Sequence, residues 1–251
     1  MENEGKKLLL KADYLRSLKR WQQAIDMYQS ALQLACPQEE AFYRIGQCYY
    51  LLGQFEEAIE YANKAIAVQP DLTFAFHLSA LSHFALGASK KAEELEKIAL
   101  ANSPENPLNH WLLAKIYNSK KGFFRKKYAK IALTYALQGL SFAPFHTLCL
   151  IEKNKALLTL GRKDELERGM ADVIRSAPDS AVAFEHLGDI YTAIGKPDKA
   201  TPYFKEALKL NPSHRELIIK SKHSKWNNVI AGLVIAFSFA ASQLLRACMG
   251  E

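Results

Sequence analysis

The chain has 251 residues, with 33 Lys and Arg against 26 Asp and Glu, four cysteines and 49% apolar residues. A quarter charged beside half apolar is globular composition, which excludes a disordered chain, and the length predicts one or two domains. The excess of +7 is local: Lys115, Lys120, Lys121, Arg125, Lys126, Lys127 and Lys130 occur together without an acid and the rest of the chain is neutral, which excludes a surface that is basic all over.

Near the amino terminus the apolar run is confined to residues 8–10, shorter than the roughly 7 to 15 residues of a secretory core. Export by that route is not expected. Cys36, Cys48, Cys149 and Cys248 form no C-x-x-C pair and have no zinc-like spacing to histidine, so reduced thiols, mostly buried, are expected. Asn-x-Ser/Thr acceptors with a permissible middle residue are absent, which agrees with a chain whose bulk stays in a reducing compartment.

Prolines at 37, 70, 104, 144, 178 and 212 are spaced by 33, 34, 40, 34 and 34 residues. This period predicts stacked helical hairpins. Six repeats are expected near 5–38, 39–72, 73–106, 107–146, 147–180 and 181–214, each with a first and a second helix. The first is weakly patterned, with Ala12, Ala24, Tyr28, Ala31 and Pro37. The second carries Phe42, Ile45, Gly46, Tyr49, Gly53, Ala58, Ala65 and Pro70, and the third Phe76, Ala80, Gly87, Ala92, Ala99 and Pro104. The fourth (Trp111, Ala114, Ala132, Gly139, Pro144) and fifth (Leu150, Leu157, Gly161, Val173, Pro178) keep the skeleton with substitutions. The sixth is fullest: Phe184-x2-Leu187-Gly188-x2-Tyr191, Gly195, Ala200-x3-Phe204, Ala207, Pro212.

Small residues such as Gly46, Ala58, Gly188 and Ala200 are expected where the two helices of a hairpin cross closely. Gly53, Gly87, Gly161 and Gly195 are expected to end first helices, and the prolines to end second helices. A hairpin cannot bury its apolar faces alone, so the fold class expected is all-α, a right-handed superhelical solenoid of about six helix-turn-helix units. Over residues 5–214 these motifs resemble the tetratricopeptide repeat (TPR) superfamily, with Phe184 in place of the usual Trp. More loosely, the layout resembles bacterial TPR proteins whose repeats lead into a membrane segment. The resemblance is specific for fold and carries no activity.

In such solenoids ligands usually lie along the first helices. The inward positions expected are Glu40, Tyr43, Gln47 and Tyr50, then Phe74, His77, Leu81 and Phe84, then Asn109, Leu112, Ile116 and Ser119, then Leu148, Ile151, Lys155 and Leu158. The candidate groove is Tyr43, Gln47, Tyr50, Phe74, His77, Leu81, Phe84, Leu112 and Ile116. An exposed patch of that size implies a cover, and an amphipathic helix or extended apolar peptide of another protein fits it. The carboxylate clamp of TPR chaperone cofactors is not reproduced: its positions read Leu9 and Asp13, Arg44, then Phe74 and Leu78.

The 40-residue interval is expected to lengthen the turn of the fourth repeat, around Lys120, Lys121, Phe123, Phe124, Arg125, Lys126, Lys127, Tyr128 and Lys130. Interleaved aromatics and cations suit stacking on bases with phosphate neutralisation, insertion at an anionic lipid surface, or a solvated loop whose phenylalanines fold back. No nucleic-acid-binding signature accompanies the patch.

After Pro212, residues 215–226 read as a basic capping or linker helix with Lys220, Lys222 and Lys225, ending at Trp226. Residues 229–245 are uncharged, with Val229, Leu233, Ile235, Phe237, Phe239, Leu244 and Leu245. At about 1.5 Å per residue this helix would span about 25 Å, the short end for a bilayer core. Residues 227–251 are therefore expected to be a single-pass C-terminal anchor with the repeats in the cytoplasm. The alternative is a buried helix capping the solenoid or filling its groove. Gly232, Ala236 and Ala240 make a small-residue face along which two such helices would pair as a homodimer.

The seven histidines form no H-E-x-x-H pair, and no phosphate-binding glycine loop occurs. Neither enzyme, metal nor cofactor is expected. The leading expectation is a scaffold or adaptor tethered to a membrane and binding a partner segment in its groove. A soluble chaperone or assembly factor shielding an apolar client is the second, and RNA binding through residues 120–128 the third.

Overall fold

In the computed structural model, residues 2–34 and 36–212 are described. They form twelve α-helices and their connections, without a strand among the described residues. The helices pair in order: α1 (Glu2–Ser17) with α2 (Trp21–Leu32), α3 (Gln38–Leu52) with α4 (Phe55–Val68), α5 (Thr73–Ala85) with α6 (Ser89–Asn102), and α7 (Pro107–Ser119) with α8 (Arg125–Phe142). The remaining pairs are α9 (Thr147–Leu160) with α10 (Lys163–Ser176) and α11 (Ala181–Ala193) with α12 (Pro197–Leu210). The chain divides into two compact units, residues 1–144 and 145–251. The first holds four hairpins. The described part of the second holds two.

The punctuation follows the sequence. Helices α4, α6, α8, α10 and α12 each stop two residues before a proline, the point at which a following proline disfavours further helix. Gly53 ends α3 with φ 79° and Gly161 ends α9 with φ 75°, left-handed geometry that costs a residue with a Cβ. At the start of α7, the Asn106 side chain accepts a 3.1 Å bond from the Leu108 N–H and Pro107 occupies the first turn, where a missing N–H loses nothing.

Hairpin cores are built from small residues facing large ones. In the first two hairpins Ala12, Ala24, Ile25, Tyr28, Ala31, Ala41 and Ile45 are fully buried together. A Cβ on Gly46 of α3 would lie 2.9 Å from a Leu78 methyl and 3.2 Å from the Ala58 carbonyl oxygen, so α3 and α4 meet where only glycine fits. In the second unit a Cβ on Gly188 would lie 2.4 Å from the Phe204 ring, and one on Gly169 would lie 2.0 Å from the Asn154 side-chain oxygen.

The long fourth repeat differs from expectation in where its length goes. Helices α5 and α7 have 13 residues each, but the following turn grows from three residues to five and the second helix from 14 residues to 18. Two of the six extra residues therefore enter the turn and four add a turn to the start of α8. Most of the insertion is helix because residues 125–128 are good helix formers with no Gly or Pro.

The basic stretch 215–226, Trp226, the uncharged stretch 229–245 and the small-residue face at Gly232, Ala236 and Ala240 lie outside the described residues, as does Cys248. No helix among the described residues is long and apolar enough to cross a membrane.

Candidate protein-binding face

Within the first unit, successive first helices touch one another, α3 against α5 and α5 against α7. That proximity puts the first helices on the inner side of the stack. Across this side runs a row of rings: Tyr43 lies 6.1 Å from Phe74 between centroids, and His77 lies 6.2 Å from Trp111. Lys115 closes the row, its ammonium 5.1 Å from the Trp111 ring centre and 5.5 Å from that of Phe84. Aromatic pairs at these separations and a cation over two ring faces are mutually attractive.

Two of the groove residues expected from sequence are not there. Leu112 and Ile116 are 0% exposed and pack with Ala80 and Ala92 in the core between the third and fourth hairpins. Helix α7 starts at Pro107, so its inward row is Leu108, Trp111, Lys115 and Asn118, one residue earlier than the pattern implied. The same slip buries Asn109, whose amide donates to the carbonyls of Ala99 and Ser103 at 3.0 and 3.1 Å. On α3 and α5 the register agrees with expectation: Phe74 is 49% exposed, and Tyr43, Gln47, Tyr50, His77, Leu81 and Phe84 are half-buried. The face is therefore less open than a continuous apolar patch, because each ring covers part of its neighbour.

One end of the row is polar. Gln47 accepts a 3.2 Å bond from the Arg16 guanidinium and donates a 2.7 Å bond to the Tyr43 hydroxyl. Arg44 pairs with Asp13 and with Glu40, and Asp13 also accepts from the Tyr28 hydroxyl. Burial works against the Arg44 charge, but bonding to Asp13 outweighs it and holds the guanidinium above its ordinary pKa. Burial and then Asp13 raise the Tyr28 hydroxyl. These ties fix the first hairpin against the second and leave the rings as the adaptable part of the face.

Beneath His77 lies a buried acid. His77 Nδ1 is 2.8 Å from Glu96 Oε1, and Glu96 is fully buried. Burial pushes the Glu96 carboxyl above the usual carboxylate range, with His77 opposing it. The second carboxylate oxygen, Oε2, has no partner among the described groups.

The basic insertion is divided by one acid. Glu93 accepts from Lys120 at 2.6 Å, from Lys97 at 2.6 Å and from the Tyr117 hydroxyl at 2.7 Å. Burial opposes its charge, but these bonds prevail and hold the carboxyl down at about 2. Lys120 also lies 4.3 Å from the Tyr117 ring centre, so it roots the insertion and does not belong to the free patch expected from sequence. Lys121, Arg125, Lys126, Lys127 and Lys130 are exposed, and none pairs with a carboxylate among the described residues. Phe123 and Phe124 do not fold back: they are 97% and 58% exposed.

The second unit contains a feature without a sequence signal. A cavity of about 790 Å³ separates its two hairpins, lined by Leu157, Leu166, Met170, Leu187, Tyr191 and Ile194 among others. Of the expected inward positions on α9, Leu158 lines it, whereas Ile151 is buried elsewhere and Lys155 binds Glu152 at 2.8 Å. Such a gap depends on how far two hairpins separate, which no local pattern encodes. Among the described residues no group of three or more His, Cys, Asp or Glu side chains converges as a metal site would. Cys48 and Cys149 are buried and their thiols pushed up to about 11 and about 12 by desolvation.

Comparison with known proteins bears on the repeats directly. The family model for the tetratricopeptide repeat matches residues 39–72 and 181–214. Those two segments are similar to the tetratricopeptide repeat. Human protein O-mannosyl-transferase TMTC1 is 26% identical over 206 residues, covering 80% of this chain and 23% of that protein. The chain spans less than half the length of the curated relatives it matches. Among solved structures, a thermophilic TPR protein from Thermus thermophilus superposes with TM-score 0.69 at 20% identity, covering 75% of this chain and 99% of that one. The Cut9–Hcn1 hetero-tetramer of the APC/C superposes with TM-score 0.72 at 15% identity over 88% of this chain and 43% of the matched one. These likenesses establish a TPR-like fold. Because they include human, plant and bacterial proteins, they do not carry the narrower resemblance to bacterial proteins with a membrane segment.

Proposed function

We propose that this chain is a non-enzymatic scaffold or adaptor that binds a helix or extended segment of another protein along the row Tyr43, Phe74, His77, Phe84, Trp111 and Lys115. The observation carrying this reading is the set of rings on touching first helices, Tyr43 beside Phe74 and His77 beside Trp111, with Lys115 over Trp111 and Phe84. Rigid aromatics supply large contact area for little lost rotamer freedom, and the polar ties at Arg16 and Gln47 offer orientation. An amphipathic segment suits this mixture better than a wholly apolar one. The expected Leu112 and Ile116 have no part in it, and Trp111 takes their place. Trp111→Ala should weaken partner recovery by roughly 1–3 kcal/mol in affinity, as truncating an interface aromatic does; recovery equal to wild type would place binding elsewhere.

The reading includes tethering through residues 227–251, resting on the uncharged stretch 229–245 and its basic flank. Resistance of the whole chain to carbonate extraction is the expected result, and recovery in the soluble fraction without detergent would overturn the tether. The second reading, a chaperone or assembly factor shielding an apolar client segment, is favoured by the cavity in the second unit. It predicts that Met170→Trp, which fills the cavity, blocks client binding while leaving the row in the first unit competent.

A further inference from the structure

We propose that the insertion of the fourth repeat docks on an anionic bilayer surface, with Phe123 and Phe124 entering the headgroup region and Lys121, Arg125, Lys126, Lys127 and Lys130 facing the lipid charges. The inference is independent of where residues 229–245 lie.

The first argument is cost. The insertion extends α8 by one turn, and that turn begins Arg125-Lys126-Lys127 with no acid in it. Three cations stand at the positive end of the helix dipole, where acids are favoured. Lys126 and Lys130, four apart on the exposed face, repel each other. The fold gains nothing from this arrangement, since the third repeat closes with a three-residue turn and a 14-residue helix. An anionic surface adds an attraction that offsets each of these repulsions.

The second argument is shape. Phe123 and Phe124 stand at the tip of the turn, 97% and 58% exposed, packed edge to face on each other with centroids 5.3 Å apart and planes at 85°. Two adjacent rings at right angles cannot both enter one column of stacked bases, which requires parallel faces. They suit an apolar wedge whose orientation is free, beneath which lysine and arginine stems reach outward. Lys120, held on Glu93 at 2.6 Å, fixes the base of the turn so that the wedge projects.

The test is hydrogen exchange of the full chain, read on peptides covering residues 120–130. Vesicles of phosphatidylcholine with phosphatidylserine are expected to slow exchange there at least about five-fold, the factor one cation's attraction to such a surface represents. Phosphatidylcholine alone should leave it unchanged, and high salt should restore fast exchange. The combined variant Phe123→Ser, Lys126→Glu, Lys127→Glu should lose the protection with unaltered circular dichroism. Because the readout is confined to these peptides, attachment through another segment does not mask it. Unchanged exchange with the charged vesicles, equal protection by neutral ones, or protection by oligouridylate or polyglutamate as strong as by the charged vesicles would overturn the proposal.

Discussion

His77 Nδ1 meets Glu96 Oε1 at 2.8 Å, joining a side chain of the ring row to an acid with no exposed surface. Glu96 has a raised carboxyl pKa because burial penalises its charge more than His77 relieves it. A raised pKa in the folded state means that the fold holds its proton more tightly than the unfolded chain does. The resulting stability is present below the unfolded value and lost as pH rises through the folded one. Glu96→Gln removes the charge while keeping the shape, so thermal melts should show the variant gaining on wild type at pH 8 and the gain shrinking toward pH 4. A variant less stable than wild type at pH 8 would mean that the bond to His77 outweighs desolvation.

Glu93 has the opposite sign. Its carboxyl is held down at about 2 by Lys120, Lys97 and Tyr117 in spite of partial burial, so its contribution is present at neutral pH and disappears as pH falls toward that value. Glu93→Gln should cost roughly 1–2 kcal/mol at pH 7, the scale of a charge-assisted bond lost, and little at pH 2. Urea melts at the two values measure this difference directly. Equal losses at both would show that the side chain acts by packing alone.

The crossing of α11 and α12 tests the repeat chemistry. Gly188 lies against the Phe204 ring, and an added Cβ would stand only 2.4 Å from it. Gly188→Ala should destabilise the chain by about 1–3 kcal/mol through overpacking, despite alanine's better helix propensity. A reciprocal change, Phe204→Leu in the Gly188→Ala background, should recover part of the loss. Full stability of the single variant would show that α11 and α12 separate freely.

These crossings were legible in sequence because a 34-residue period repeats the same local requirement six times. Gly46 and Gly188 fall where close approach was expected, and Gly53 and Gly161 where first helices had to stop. The helix face carrying the rings was legible on α3 and α5 and slipped on α7. There the expected positions fell one residue later than the 34-residue spacing from Phe74, His77, Leu81 and Phe84 gives, and one residue is enough to exchange Leu112 for Trp111. The insertion was found by counting, but its form was not. Whether extra residues enter a turn or lengthen a helix depends on local helix propensity against loop closure, and residues 125–128 became helix. The engagement of Lys120 by Glu93, 27 residues away, is a tertiary fact to which spacing gives no access.

Releasing that root gives a prediction for the insertion apart from lipid. Lys120→Ala removes one of the three donors to Glu93 and the ammonium over the Tyr117 and Tyr128 rings. Amides of residues 120–124 should exchange faster in the free protein, while those of α5 and α6 remain as in wild type. Unaltered exchange in the turn would show that its backbone, closed by the Arg125 N–H to Gly122 carbonyl bond of 3.1 Å, holds without the side chain.

The central claim is that the ring row on the first helices is where another protein binds. A photo-crosslinking residue at Phe74, which is 49% exposed in that row, and a second at Leu137 on α8, 51% exposed away from it, compare two sites of equal accessibility in cells. Adducts with a discrete partner at position 74, absent at 137 and lost with Trp111→Ala, are the predicted result. Equal crosslinking at both positions, or adducts at 74 that survive Trp111→Ala undiminished, would contradict it.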